Sequence, residues 1–339
     1  MSVDVHALDM KIRRDFRASF GDDVANELDR DGSLELASAL RQAMGDEVRS
    51  TSNDGDRDEM RAAEVIIHHV NACVFEARAV WPNAVLKEAY VLAQLRACVN
   101  SLRASSDDTD NGLAHAEHAM RAVDTALILG APADTMRSFV RACELALNVS
   151  RAREAYLRSE TLFPSVAPVL SSTDGERRMI PCIDATTLSA KEFKRNYYAT
   201  DQPVVLLSLG EGWPALHKWD DATWWKSFYG HRYVPLEVGD YNDAENWREE
   251  MQPMRNFMDD YIIPSIMEQN ECPETVAYLA QHQLVDQLDL LVNDFVPPEY
   301  CLKSLERINV WMGTSGTVTP CHFDSYDNLF GQVRMIHGC

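Results

Sequence analysis

His322 and Asp324, in the run CHFD, are the residues whose types and spacing could do chemistry. Side chains on a strand repeat every two residues, so on a strand both would point to one face, an imidazole beside a carboxylate. One small cation can take both donors. With a distant second histidine, H-x-D makes the facial triad of non-haem Fe(II) sites, which leaves other coordination positions open. Alone the pair is a weak signal, because so short a pattern arises by chance. The remaining histidines read as structural. His115 and His118 stand three apart on a predicted helix, and His68 adjoins His69, with no further donor at metal-ligand spacing. His217 lies near Asp220 and Asp221 at a helix start, where acids cap and favour the dipole, and His282 reads as a hydrogen-bonded strand residue.

Such a pair needs a scaffold, and the 339-residue chain changes grammar on the way to it. Up to about Ser159 the pattern is helical. Val85, Ala89, Leu92, Leu95, Val99 and Leu102 recur at spacings of three and four, and Leu113, Ala116, Met120, Val123 and Leu127 do the same. Gly130, Ala131 and Pro132 punctuate, and a further helix is predicted from about Asp134 to Leu147. Loops are predicted at Ser52–Gly55 and Ser105–Gly112. Residues 1–160 therefore read as an all-α bundle of about six helices. Residues 161–178, proline- and serine-rich without periodicity, read as a linker. From 179 to 339 short strands are expected at Pro203–Leu209, Tyr233–Val238, Val276–Ala280, Ile308–Met312 and Thr317–His322, with helices at Ala222–Tyr229 and Met254–Met267 between them. Many short strands with turn signals suggest an antiparallel sandwich or barrel, so the class is α+β.

Composition narrows the partners. With 53 acids against 32 bases the net charge is −21, which repels nucleic-acid phosphates and suits a basic protein or peptide. The longest apolar runs, such as Val204 to Leu207, are far short of the roughly 20 residues a membrane span needs. Asp4, His6 and Asp9 leave no basic segment followed by an apolar one, so no secretory signal is expected. The eight cysteines include no CxxC pair and are expected as reduced, mostly buried thiols in an intracellular protein, in nucleus or cytoplasm.

Four landmarks in order add what the pair lacks: Pro203–Trp219 (PVVLLSLGEGWPALHKW), Val234–Tyr241 (VPLEVGDY), Tyr278–Gln287 (YLAQHQLVDQ) and Ile308–Asn328 (INVWMGTSGTVTPCHFDSYDN). The region they span resembles the JmjC branch of the Fe(II)/2-oxoglutarate oxygenases. The likeness is strongest to members with a helical N-terminal domain, described as protein arginyl hydroxylases and histone lysine demethylases. The resemblance implies a cupin-like double-stranded β-helix, or jelly roll, that uses Fe(II) and 2-oxoglutarate. It matches His322 and Asp324 to the first two iron ligands, and Tyr278, Thr319 and Asn328 to the 2-oxoglutarate pocket. Glu237, Trp247 and Trp311 match the substrate entrance, where charge and stacking would hold a cationic arginyl or methyl-lysyl side chain.

In the family pattern a strand with a Lys or Arg follows, and later the second histidine. Arg334–Cys339 do not resemble that strand, so the jelly roll is expected to be incomplete at its C-terminus, with metal binding and turnover impaired. His337, thirteen residues past Asp324 on a tail, is a poor stand-in for the distal ligand. Two function classes therefore stand side by side: a protein oxygenase acting on a basic side chain, and a non-catalytic interaction protein or inactive variant of it. A cupin-like sugar-binding or isomerase domain is disfavoured, because its metal patterns carry more histidines close together.

Overall fold

The computed structural model describes residues 63–68, 70–71, 84–107, 111–158, 180–240, 243, 246–267 and 275–333. The predicted loop at Ser52–Gly55, the whole of the predicted linker and His337 lie outside the described residues. By its contacts the chain falls into two units, Met1–Ala155 with His231–Tyr233, and Tyr156–Gly230 with Val234–Cys339.

The first unit is helical: α1 (Ala84–Asp107), α2 (Gly112–Ile128), α3 (Ala133–Ala146) and α4 (Val149–Leu157) follow one another, and residues 63–68 are also helical. Ala89, Leu92, Leu95, Val99 and Leu102 of α1 are buried with Met120 and Val123 of α2 and Met136 and Phe139 of α3, as the three-and-four spacing requires. Leu113, expected on the buried face of α2, is instead exposed, because it sits in the first turn, ahead of the packed stretch that starts at Ala116. Gly130 ends α2. Its N–H bonds the Leu127 carbonyl and the next N–H, from Ala131, bonds Ala126, a closure that needs the left-handed φ of +92° found at Gly130. The three residues His231–Tyr233 bring Arg232 onto the fully buried Asp124 of α2, with guanidinium–carboxylate distances of 2.6, 3.0 and 3.1 Å.

The second unit is built around strands. β1 (Cys182–Asp184) pairs in parallel with β2 (Val205–Leu207), with the short helix α5 (Ala190–Asn196) between them in sequence. A four-stranded sheet holds β3 (Tyr233–Val238), β4 (Arg248–Pro253), β5 (Ala277–His282) and β6 (Val310–Gly313) in the order β4-β3-β5-β6. β3 is the strand expected over Tyr233–Val238, and α6 (Ala222–Tyr229) is the expected helix, capped by Asp221, whose carboxylate accepts from the Thr223 N–H at 2.8 Å. The expected helix from Met254 to Met267 is present but carries a π-helical stretch over Phe257–Ile262. Along β3 the buried residues alternate, Val234, Leu236 and Val238. With Ala277, Leu279 and Val310 they form the core against Trp225, Met254, Phe257 and Leu284. Among the described residues no helix is long and apolar enough to cross a membrane.

One expected strand is absent. Residues 314–333 carry no ladder pairing, Thr317–His322 included. Local bonds take over there. The Thr317 hydroxyl donates to the Thr314 carbonyl at 2.8 Å, Ser315 and Ser265 share a hydroxyl bond at 2.9 Å, and Gly316 turns the chain at φ +81°. β4 and β1, in turn, were not foreseen. The charged run Arg248-Glu249-Glu250 opening β4 lacks the apolar alternation of a strand.

Candidate functional site

Two clusters in the second unit hold the residues singled out from the sequence. The first crosses the sheet on the face opposite its apolar core. Glu237 of β3 lies directly across from Tyr278 of β5, and Tyr278 directly across from Gly313 of β6, so the three positions share one face. A cavity of about 140 Å³ opens there, lined by Glu237, Asp240, Trp247, Tyr278 and Thr317 among others. Glu237 and Trp247 touch: burial pushes the Glu237 carboxyl up, the charge of Glu249 adds to that, and a hydrogen bond from the Trp247 side chain draws it part of the way back. Tyr278 is likewise raised by burial, partly offset by a hydrogen bond with the Thr319 side chain and reinforced by the charge of Glu237. A pocket lined by a carboxylate, an indole and a phenol suits a cationic head with an apolar stem.

Trp311 stands two residues before Gly313 on β6, hence on the same face, but it is 41% exposed and its ring meets Phe330 at 6.3 Å rather than the cavity wall.

The second cluster is His322 with Asp324. Both side chains are exposed, with Nε2 of His322 3.5 Å from Oδ1 of Asp324. The strand alternation expected to align them is not what does so, because they lie in an unpaired segment. Local bonds hold the pair. Nδ1 of His322 is 2.7 Å from the Pro320 carbonyl. A carbonyl oxygen only accepts, so Nδ1 donates in this bond, and Nε2 is the ring nitrogen that faces Asp324. The other Asp324 oxygen accepts from the Asn328 amide at 2.5 Å, which fixes the carboxylate plane. Nitrogen and oxygen donors at this separation fit two adjacent ligands of one divalent cation, with the outer partners that such ligands need. Among the described residues no group of three or more His, Cys, Asp or Glu side chains stands placed to hold a metal ion. Asn328 thus lies beside the carboxylate and is not among the cavity-lining residues.

Sequence reasoning missed the glycines. Gly239 (φ +102°) closes the end of β3, and a side-chain carbon there would lie 2.6 Å from the Asn246 carbonyl oxygen, so its absence lets the chain return toward Trp247. A carbon added to Gly313 would meet the Tyr278 ring and the Thr317 hydroxyl, each at 2.8 Å. The available signal was the two glycines of the run Gly313–Gly316, which bracket the turn leading to the H-x-D pair.

A family model described as a cupin-like domain matches residues 189–334, the stretch that holds both clusters. The chain is 35% identical over 160 residues to the Jumonji C domain-containing protein 5 of Drosophila melanogaster, covering 45% of this chain and 39% of that protein. It is 33% identical over 167 residues to the lysine-specific demethylase JMJ30 of Arabidopsis thaliana, covering 46% and 38%. To the lysine-specific demethylase 8 of Xenopus tropicalis it is 33% identical over 168 residues, covering 46% and 36%. The aligned stretch thus spans less than two fifths of the length of these relatives. The matches support a relationship to the JmjC, cupin-like Fe(II)/2-oxoglutarate oxygenases.

Proposed function

We propose that this chain carries the metal-pair and pocket region of a JmjC-type Fe(II)/2-oxoglutarate-dependent protein oxygenase that acts on a basic side chain, arginyl or methyl-lysyl. The observation that carries the reading is the convergence of Glu237, Trp247 and Tyr278 on one cavity, with Thr319 bonded to Tyr278. In this reading Glu237 and Trp247 receive the cationic head of a basic protein or peptide, by charge and by stacking. Tyr278 and Thr319 present hydroxyls to the 2-oxoglutarate carboxylate, and Asn328 acts by orienting Asp324. His322 and Asp324 would hold the iron, which supplies oxygen activation when bound. Two of the relatives bear the name lysine-specific demethylase, which keeps methyl-lysine beside arginine as the candidate substrate. An intracellular place, nuclear or cytoplasmic, goes with such a substrate. The free thiols of Cys98, Cys143, Cys182, Cys301 and Cys321 agree with it.

The test is titration of an arginine-containing and a trimethyl-lysine-containing peptide into the chain, followed by chemical-shift perturbation. Binding that Glu237→Gln weakens tenfold or more is expected, and equal binding by the variant would overturn the pocket assignment.

A second reading rests on the same metal pair. Two exposed donors are a poorly preorganised site, and affinity for a divalent ion depends on preorganisation as much as on ligand type. By itself this 339-residue chain is then a weak metal binder without turnover, acting through its helical unit as an interaction protein. Anaerobic Mn(II) titration decides between the two. Micromolar or tighter affinity, lost in His322→Ala, would remove the second reading.

A further inference from the structure

We propose that Gly313 is a positioning residue of this pocket: its missing side chain is the seat on which the Tyr278 ring rests. The inference deepens the reading above but stands on steric grounds of its own. Tyr278 and Gly313 are direct cross-strand partners in the β5–β6 ladder. A tyrosine opposite a glycine can fold its ring over the bare backbone, and a glycine inside a strand often marks such a close approach. The distances show how close it is. A carbon added at position 313 would stand 2.8 Å from Cδ2 and 3.4 Å from Cε2 of Tyr278, and 2.8 Å from Oγ1 of Thr317. Thr317 is itself tied to the Thr314 carbonyl at 2.8 Å, so it cannot retreat without breaking that turn. Gly313 is not among the residues with positive φ, so alanine suits the backbone there and only the contact is at issue. The phenol bonded to Thr319 would therefore be displaced by the smallest possible side chain at a residue that itself carries no functional group.

The experiment places 3-fluorotyrosine at position 278 of the full chain and follows its fluorine resonance. Gly313→Ala is expected to shift that resonance. Gly331→Ala, whose added carbon would meet only Trp213 at 3.7 Å, should leave it in place. If the chain binds 2-oxoglutarate, Gly313→Ala should weaken that binding about tenfold, the loss expected when one hydrogen bond to a charged group goes. An unmoved resonance in folded Gly313→Ala overturns the proposal, whether or not 2-oxoglutarate binds. Should Gly313→Ala fail to fold, the comparison moves to a Thr317→Ala background, which removes the second contact; there Tyr278→Ala must restore folding to Gly313→Ala, and failure to do so overturns the proposal as well. A shifted resonance without any 2-oxoglutarate binding keeps the seat and removes the cosubstrate role.

Discussion

Replacing Asp124 by alanine should be among the most damaging single changes in the helical unit. Its carboxylate is fully buried and accepts three bonds from Arg232, whose side chain is only 4% exposed, and a fourth from the Tyr233 N–H at 2.8 Å. Burial opposes the charge on Arg232, while the charge of Asp124 and its hydrogen bonds favour it. Alanine removes that support and leaves a guanidinium dehydrated. Breaking a buried pair in this way costs about 3–5 kcal/mol, against a total stability of roughly 5–15 kcal/mol for a domain. At about 2–4 °C per kcal/mol for a unit of this size, the melting temperature should fall by roughly 6–20 °C. Urea denaturation followed by far-ultraviolet circular dichroism gives the free energy directly. The double variant Asp124→Leu/Arg232→Met should recover most of the loss, because a desolvated ion pair and a well-packed apolar pair differ little in net stability. An Asp124→Ala protein within about 1 kcal/mol of the parent would refute the argument, since it would mean that the guanidinium finds water or another acceptor.

Acid should destabilise the same unit in two stages. Burial holds His231 below its usual range, so the unfolded chain takes up that proton first and stability falls as the pH drops below about 6.5. Burial would raise Glu144, but the His231 hydrogen bond and the charges of Arg153 and Arg232 hold it at about 2, so its contribution disappears as the pH falls from about 4.5 toward 2. Glu144→Gln should flatten the lower stage in a pH series of urea titrations, and an unchanged lower stage would exclude Glu144. Gly130→Ala should cost about 1–2 kcal/mol, because a side chain is forced to φ +92° where α2 ends; denaturation of the variant measures it. Trp247→Phe removes the indole N–H that favours the ionised Glu237, so the carboxyl should titrate at higher pH, as carbon-detected NMR of its side chain can show. His322→Ala and Asp324→Ala should each change the unfolding free energy by less than about 0.5 kcal/mol, because both side chains are exposed. Reading the pair as part of a strand would have implied a larger change.

Local spacing by itself determined the helical face Ala89–Leu102, the Gly130 stop, the strand Tyr233–Val238 and the Asp221-capped helix. Each depends on contacts within one or two turns or on a period of two, which a linear sequence displays. The family resemblance singled out Glu237, Trp247, Tyr278 and Thr319, of which the first three line one cavity and the fourth bonds Tyr278. Only the tertiary structure decided that Glu237, Tyr278 and Gly313 form one row, because strand order and register join residues far apart in sequence. It also decided that His322 and Asp324 meet through a carbonyl and an amide rather than through strand pleating. Asp124 and Arg232, 108 residues apart, show the same limit: no periodicity marks a buried ion pair, since its partners are chosen by packing and desolvation in three dimensions.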